Sequence, residues 1–446
     1  MIERDDKLWR VRGWESSSGV TSHLPTSSQL EKEVTYFTTS GIAKEELTAG
    51  IPNSSRLEGS IMSAESVVRF GVIGVGGMGQ GHCSVMPRVC EAQLTAVCDI
   101  DPATAKMVGE KYQVPYFLND RDLLKSGLCD AVIIATPHPE RPPIAIRAMR
   151  AGKHVLSEKP LSERVATADQ MIAAAKETGV AFAVMFQRRI EPALMKAIEL
   201  ARSGAVGKIY RTTLISPEYR SQAYYDSGTW RATWTGEGGG VMMNQGPHIL
   251  DLFILLGGMP NSVFGRVETR MHHIEVEDLA EAMVTYPDGG TGYLYLSTNE
   301  AGPGQMIEVF GDRGKLIYRD GTLKCYRFEP SIAEFTKTNT AMWGSPQCTE
   351  ETITLADSEC GHQVIQRNFA RHILYGEKLA SPGEDGLRSL ELANAVYLSS
   401  HLNKAVSLPL SRRAFDAFLA KKRKTSTFVK NTTNSDRITD PKFAKV

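Results

Sequence analysis

Gly74-Val75-Gly76-Gly77-Met78-Gly79 closes an apolar run that begins at Val67, and Asp99 stands about twenty residues beyond Gly79, at the end of a second apolar run from Ala92. In this arrangement the first glycine permits a tight turn out of a strand. The second lets the backbone approach a pyrophosphate, and the third lets the next helix pack closely on the sheet. Gly74, Gly76 and Gly79 hold these places, with Gly77 and Met78 in the same turn, and the helix behind them offers its first N–H groups to phosphates. A carboxylate at Asp99 accepts hydrogen bonds from the adenosine ribose. Ile100 and Asp101 bring no cation for a 2′-phosphate, and two adjacent carboxylates repel one, so the reading is NAD in preference to NADP.

The same rhythm continues outward. Short apolar runs at Asp130 to Thr136, Lys153 to Leu156 and Ala181 to Phe186 alternate with helical patterns at Pro102 to Tyr112, Pro142 to Ala151 and Glu163 to Thr178. Such runs read as parallel strands covered on both faces, hence a doubly wound α/β Rossmann domain over 67–188. After Phe186 an amphipathic helix, Pro192 to Ser203, leads into Lys208 to Ile215. The later runs Asp278 to Tyr286 and Gly292 to Ser297 flank the turn Pro287-Asp288-Gly289-Gly290. These features predict a second, α+β domain over 189–415 with a mainly antiparallel open sheet, and a helix from Val241 to Leu256 inserted before most of its strands. Residues 1–66, rich in Ser, Thr and charge, read as a poorly ordered extension, with Met62 a possible biological start. Residues 416–446, which include Lys421-Lys422-Arg423-Lys424, read as a solvated basic tail.

At 446 residues the chain is too long for one core, consistent with two domains. Lys plus Arg and Asp plus Glu both number 51, a balance that argues against a global attraction to nucleic acid or an anionic membrane. No apolar run approaches the roughly 20 residues that span a bilayer, and the N-terminus lacks the apolar stretch of a secretory signal. Seven cysteines without a C-x-x-C pair fit reduced thiols, and a cytoplasmic protein with a small-molecule partner is expected.

For chemistry, Ser157-Glu158-Lys159-Pro160 places Lys159 at the C-terminal end of a strand, where open α/β sheets bind ligands; an ammonium there can hydrogen-bond a substrate oxygen and steady its proton. In Gly238-Gly239-Gly240-Val241-Met242-Met243-Asn244-Gln245-Gly246-Pro247-His248-Ile249-Leu250-Asp251, a helix would put Asn244, His248 and Asp251 on one face, with Asp251 near enough to orient His248 as a proton carrier. Gln187-Arg188-Arg189 follows the last Rossmann strand, and its arginines serve either substrate binding, for which Arg188 is the candidate, or a domain-linking salt bridge. The aromatic stretch from Tyr224 to Trp234 offers Tyr225, Trp230, Arg231 and Trp234 either to a sugar ring or to the core. His272-His273-Ile274-Glu275-Val276-Glu277-Asp278 superficially suggests a metal cluster, but on a strand its side chains split between two faces, and no metal is expected.

Taken together, these segments resemble the Gfo/Idh/MocA family of oxidoreductases, which includes glucose-fructose oxidoreductase and inositol dehydrogenases. The resemblance runs from Val67 to about Leu410. It rests on Gly74 to Gly79, Ala135-Thr136-Pro137-His138, Gly152 to Pro160 and Gly238 to Asp251. It implies a Rossmann domain followed by a domain with a large open sheet often used for oligomerisation, hence a homodimer or homotetramer. Its Glu-Lys-Pro lysine matches Lys159 and its catalytic histidine matches His248, with Thr136, Pro137, His138, Glu158 and Gln187 near the cofactor. Many members carry an aspartate four residues before the histidine; here Asn244 stands in its place, and an amide positions substrate rather than sharing a proton. The function implied is NAD-dependent hydride transfer at a secondary alcohol of a sugar, cyclitol or glycoside. Two alternatives are a redox-assisted glycosidase working through a transient 3-keto sugar, and a non-catalytic NAD-binding regulator.

Overall fold

The computed structural model describes residues 67–356 and 358–432. The extension expected over 1–66 and the last residues of the chain lie outside them.

Six parallel strands form the first sheet: β1 (Val68–Ile73), β2 (Ala92–Cys98), β3 (Tyr116–Phe117), β4 (Ala131–Ile134), β5 (His154–Ser157) and β6 (Phe182–Val184), in the order 3-2-1-4-5-6. The order reverses between β1 and β4, which opens a crevice at the C-terminal ends of the strands. The central strands are buried on both faces, as their continuous apolar runs require. Their helices are α1 (Gly77–Val85), α2 (Pro102–Tyr112), α3 (Asp120–Lys125), α4 (Arg141–Arg150) and α5 (Val165–Thr178). Asp101 caps α2 by accepting from the N–H groups of Ala103 and Thr104, and the proline behind it fits the first turn.

The second sheet has nine strands: β7 (Ile209–Pro217), β8 (Ser262–Glu268), β9 (Leu279–Thr285), β10 (Thr291–Ser297), β11 (Met306–Gly311), β12 (Gly314–Arg319), β13 (Thr322–Glu329), β14 (Gln347–Ile353) and β15 (Val406–Ser407). Their order is 14-13-12-11-7-10-9-8-15; only the β7–β10 pair is parallel. Alternate residues of β9, β11 and β12 are buried, so one face is core and the other open. The remaining helices are α6 (Pro192–Arg202), α7 (Gln222–Asp226), α8 (Gly246–Gly257), α9 (Ile332–Thr338), α10 (His362–Tyr375), α11 (Asp385–Leu402) and α12 (Arg412–Thr425).

Three features depart from the sequence reading. Helix α8 starts at Gly246, five residues later than expected, because the Glu277 carboxylate captures the N–H groups of Gly240 and Met242 and holds 240–245 in turns. Helix α10 returns to the first domain: Ile365, Phe369 and Ala370 join Val68, Phe70 and Val72 in its core, so that domain is not continuous in sequence. The basic run is no loose tail. It lies on α12, whose Phe415, Phe418 and Leu419 are buried, with Arg423 donating to the Trp234 carbonyl at 3.0 Å and Lys422 above the Trp234 ring.

Candidate active site

A cavity of about 1740 Å³ runs from the glycine turn to the second domain. Sites for a single drug-sized ligand measure roughly 300–1,000 Å³, so this one has room for a dinucleotide and a second molecule.

At its first end lie Gly74, Gly76, Gly77, Met78 and Asp99. Gly74 has φ +85°, and a Cβ there would come within 2.9 Å of the Ala135 carbonyl carbon. A Cβ on Gly79 would come within 1.9 Å of the Gly74 oxygen, so this glycine, which does not line the cavity, sets how closely α1 sits on β1. A Cβ on Gly76, by contrast, would meet nothing within 4 Å. Among the described residues no side chain caps α1. Asp99 accepts from the N–H of Val75 at 2.9 Å and of Asp101 at 3.0 Å, tying the glycine turn to the end of β2. Further along, Thr136, Pro137, His138 and Gln187 line the wall; Thr136 Oγ1 and Gln187 Oε1 are buried without a hydrogen-bond partner among the described residues. These unpartnered atoms and the open glycine turn fit a dinucleotide.

Lys159 stands at the end of β5, before a cis Pro160. The loop is pinned by Arg141, buried on α4, which donates from Nε to the Thr136 carbonyl at 2.8 Å and from Nη1 to the Pro160 carbonyl at 2.5 Å; burial pulls its pKa down to about 10. Glu158 also lines the cavity. Its Oε1 pairs with His82 Nε2 at 2.8 Å and its Oε2 accepts the Lys159 N–H at 3.1 Å. Burial alone would raise this carboxyl, but the His82 hydrogen bond and charge hold it well below the usual range. Lys159 Nζ donates to the Asn244 carbonyl at 2.9 Å, and burial lowers its pKa, an effect that Glu158 partly offsets.

His248, on the first turn of α8, lines the same cavity with its ring edge-on to Phe186 at 5.8 Å. Burial and, second, Lys159 hold its pKa well below that of a free imidazole, so it is neutral at pH 7. Among the described residues its Nδ1 has no hydrogen-bond partner. Asp251 does not orient it: both Asp251 oxygens are taken by Arg189, at 2.5 and 2.6 Å. The Asn244 side chain is likewise engaged, donating to Glu237, a buried carboxyl whose other oxygen accepts the Ala232 N–H at 2.6 Å. What Asn244 offers Lys159 is its backbone carbonyl.

Of the remaining candidates, Arg188, Trp230 and Arg231 line the cavity, with Arg188 paired to Glu191 at 2.9 Å. Tyr225 and Trp234 do not. Tyr225 is buried with its hydroxyl on Thr298, and Trp234 packs edge-on against Tyr397 and Phe418. Tyr224 lines the cavity instead. The backbone of this stretch is strapped by Lys430, whose Nζ donates to the carbonyls of Tyr225 and Arg231, both at 2.7 Å. The histidine-rich stretch is used internally: His272 pairs with Asp278 at 2.9 Å and Glu275 accepts the Trp234 N–H at 3.0 Å. Among the described residues no three His, Cys, Asp or Glu side chains are placed to hold a metal.

Residues 68–186 match the oxidoreductase family with an NAD-binding Rossmann fold, and residues 194–317 match the Gfo/Idh/MocA C-terminal domain. The chain belongs to the Gfo/Idh/MocA oxidoreductases. Within this family it is 26% identical over 350 residues to a myo-inositol 2-dehydrogenase from Thermotoga maritima, a span covering 76% of this chain and 98% of that one. It is 25% identical over 351 residues to a D-apiose dehydrogenase from Paraburkholderia graminis, covering 77% and 91%. Among solved structures, the WlbA dehydrogenase from Bordetella pertussis, in complex with NADH and UDP-GlcNAcA, is 27% identical with a TM-score of 0.65, covering 77% of this chain and all of that one. The chain is thus an NAD-binding oxidoreductase of the dehydrogenase type, on a Gfo/Idh/MocA fold.

Proposed function

We propose that this oxidoreductase transfers hydride to or from a secondary alcohol of a sugar, cyclitol or glycoside, with Lys159 and His248 handling the hydroxyl proton. The observation that carries this reading is the convergence, on the wall of one cavity, of a lysine whose pKa burial lowers and a neutral histidine, beyond a glycine turn that fits a dinucleotide. The names of the similar proteins, inositol and apiose dehydrogenases, support the substrate class.

Bound NAD supplies the hydride acceptor. In the oxidation direction the Lys159 amine hydrogen-bonds the substrate hydroxyl and takes its proton as the carbinol C–H bond breaks. Neutral His248 accepts a hydrogen bond from the hydroxyl or relays the proton onward. The Asn244 carbonyl and the Arg141-pinned loop hold the amine in place, so little reorganisation is left for the chemical step.

A panel of sugars, inositols and glycosides with NAD and NADP, read both at 340 nm and by product analysis, tests this. Net NADH from at least one neutral or acidic polyol, with NAD preferred, is expected. Product without net NADH identifies the redox-assisted glycosidase, and NAD binding without any turnover identifies the regulator; either result overturns the proposal.

We place the contact of a homodimer or homotetramer on the open face of the second sheet, where Phe264 of β8 lies opposite Met283 of β9, which lies opposite Tyr293 of β10. Phe264 and Met283 are 43% and 60% exposed, an apolar stripe that a second copy would cover. Met283→Glu is expected to reduce the assembly to monomer in sedimentation velocity; a wild-type protein already of one-chain mass refutes the placement. All seven cysteines are free, which agrees with a cytoplasmic, reducing compartment. Among the described residues no helix is long and apolar enough to cross a membrane.

A further inference from the structure

Among the cationic side chains that line the cavity are Lys159, Arg188, Arg220 and Arg231. Two are matched by carboxylates, Arg188 by Glu191 at 2.9 Å and Arg220 by Glu218 at 2.6 Å. Lys159 donates to the Asn244 carbonyl at 2.9 Å. Arg231 is different. Among the described residues it makes no ion pair, and its Nη1 donates instead to the Tyr224 hydroxyl at 2.6 Å. Its Nε is buried and has no acceptor among the described residues. The guanidinium carbon lies 4.3 Å from the centroid of the Tyr224 ring and 4.8 Å from that of Trp230.

Stacking of this kind holds the guanidinium in place on the cavity wall, and the planar set of N–H donors it carries suits a group with two equivalent oxygens. Glu237, a carboxyl close enough to feel the charge, is committed to the Ala232 N–H and the Asn244 amide. The Glu237 charge acts on Arg231 with no hydrogen bond between them, so among the described residues this guanidinium on the cavity wall has no anionic hydrogen-bond partner. We propose that Arg231, held by Tyr224 and Trp230, is the receptor for an oxyanion carried by the substrate, a carboxylate or phosphate on the sugar. The preferred substrate is therefore an acidic sugar rather than a neutral polyol. This rests on the oxidoreductase reading for its consequence in turnover, but not for binding.

The test pairs neutral sugars with their acids: glucose, galactose, mannose and N-acetylglucosamine, each with its uronate and its 6-phosphate, titrated calorimetrically into NADH-loaded full-length protein. At least one acid is expected to bind about thirtyfold or more tightly than its neutral parent, with affinity falling as salt rises. The uronate and phosphate arms distinguish the two oxyanions. Arg231→Gln is expected to collapse that ratio toward one. Arg231→Lys, which keeps the charge but loses the fork, should leave a ratio between the two. NADH affinity and thermal midpoint report whether each variant is folded, and the wild-type ratio needs no variant at all. If no acid outbinds its parent, or if Arg231→Gln weakens acid and parent by the same factor, the anion receptor is refuted. Acid binding without NADH production in the parallel assay refutes the oxidoreductase reading alone; NADH from a neutral sugar with no acid preference refutes this inference alone.

Discussion

Lys159→Met is expected to lower kcat by about a hundredfold to ten-thousandfold, the usual contribution of a positioned proton carrier, while NAD still binds. Methionine keeps most of the length and apolar body of the side chain. What is lost is the amine that sits 2.9 Å from the Asn244 carbonyl. The pH profile separates this role from mere packing. Burial lowers the lysine's pKa from its ordinary value of 10.5, and only the neutral amine takes up a proton. In the oxidation direction kcat/KM should therefore rise with pH through a value below 10.5; in the reduction direction, where the ammonium gives the proton up, it should fall over the same range. His248 is neutral throughout and contributes no limb near pH 7. Stopped-flow absorbance at 340 nm across pH 6 to 10.5 makes the measurement. The variant should lose both the rate and the limb, and turnover at the wild-type level would remove Lys159 from the mechanism.

The parts of this site visible in the sequence are those built from one short segment each. Gly74 combines a left-handed φ with backbone 2.9 Å from where a Cβ would sit, and Gly79 has no room for a Cβ; only glycine meets these demands, so the letters report the geometry. Lys159 was readable because a strand end and a proline bracket it. The other residues depend on contacts between distant segments. Arg141 reaches the Glu-Lys-Pro loop from α4, and Glu237 reaches Asn244 through turns, so nothing in their spacing marks them. Tyr224 and Tyr225 are adjacent and chemically identical, yet one faces the cavity and the other bonds Thr298 in the core; only the phase of a five-residue helix decides between them. Strand β3, two residues long, has no period to detect. The return of α10 to the first domain is likewise a tertiary fact: its apolar face announces burial, not which sheet it covers.

Arg189→Leu is expected to destabilise the fold by about 3–5 kcal/mol, because it strands a buried carboxylate. Asp251 is 3% exposed and receives two hydrogen bonds from this guanidinium, at 2.5 and 2.6 Å. Nη1 adds Asp385 at 2.7 Å and the Ala380 carbonyl at 3.1 Å, and the guanidinium carbon lies 5.2 Å from the centroid of the Phe186 ring. One side chain thus joins the end of the last Rossmann strand, helix α8 and the start of α11. Burial raises the Asp251 carboxyl and the Arg189 hydrogen bonds and charge oppose it; the two short bonds to one carboxylate favour the ionised pair, and Asp251 and Asp385 hold the arginine's pKa above its ordinary value against the effect of burial. Leucine replaces the apolar stem but none of the five donors, so Asp251 must either stay charged without a partner or bind a proton. A thermal midpoint lower by about 10 °C follows, with the Arg189→Leu/Asp251→Leu double variant recovering much of the loss because neither charge then remains buried alone. A drop below about 1 kcal/mol in urea unfolding would show that the pair is no more than a surface contact. The functional corollary comes from α8. Asp251 anchors the helix less than one turn beyond His248, so it positions the histidine through the helix backbone and not through the imidazole. Asp251→Asn, which keeps one acceptor oxygen for Arg189, should therefore cost stability while leaving the pH profile of kcat/KM in place.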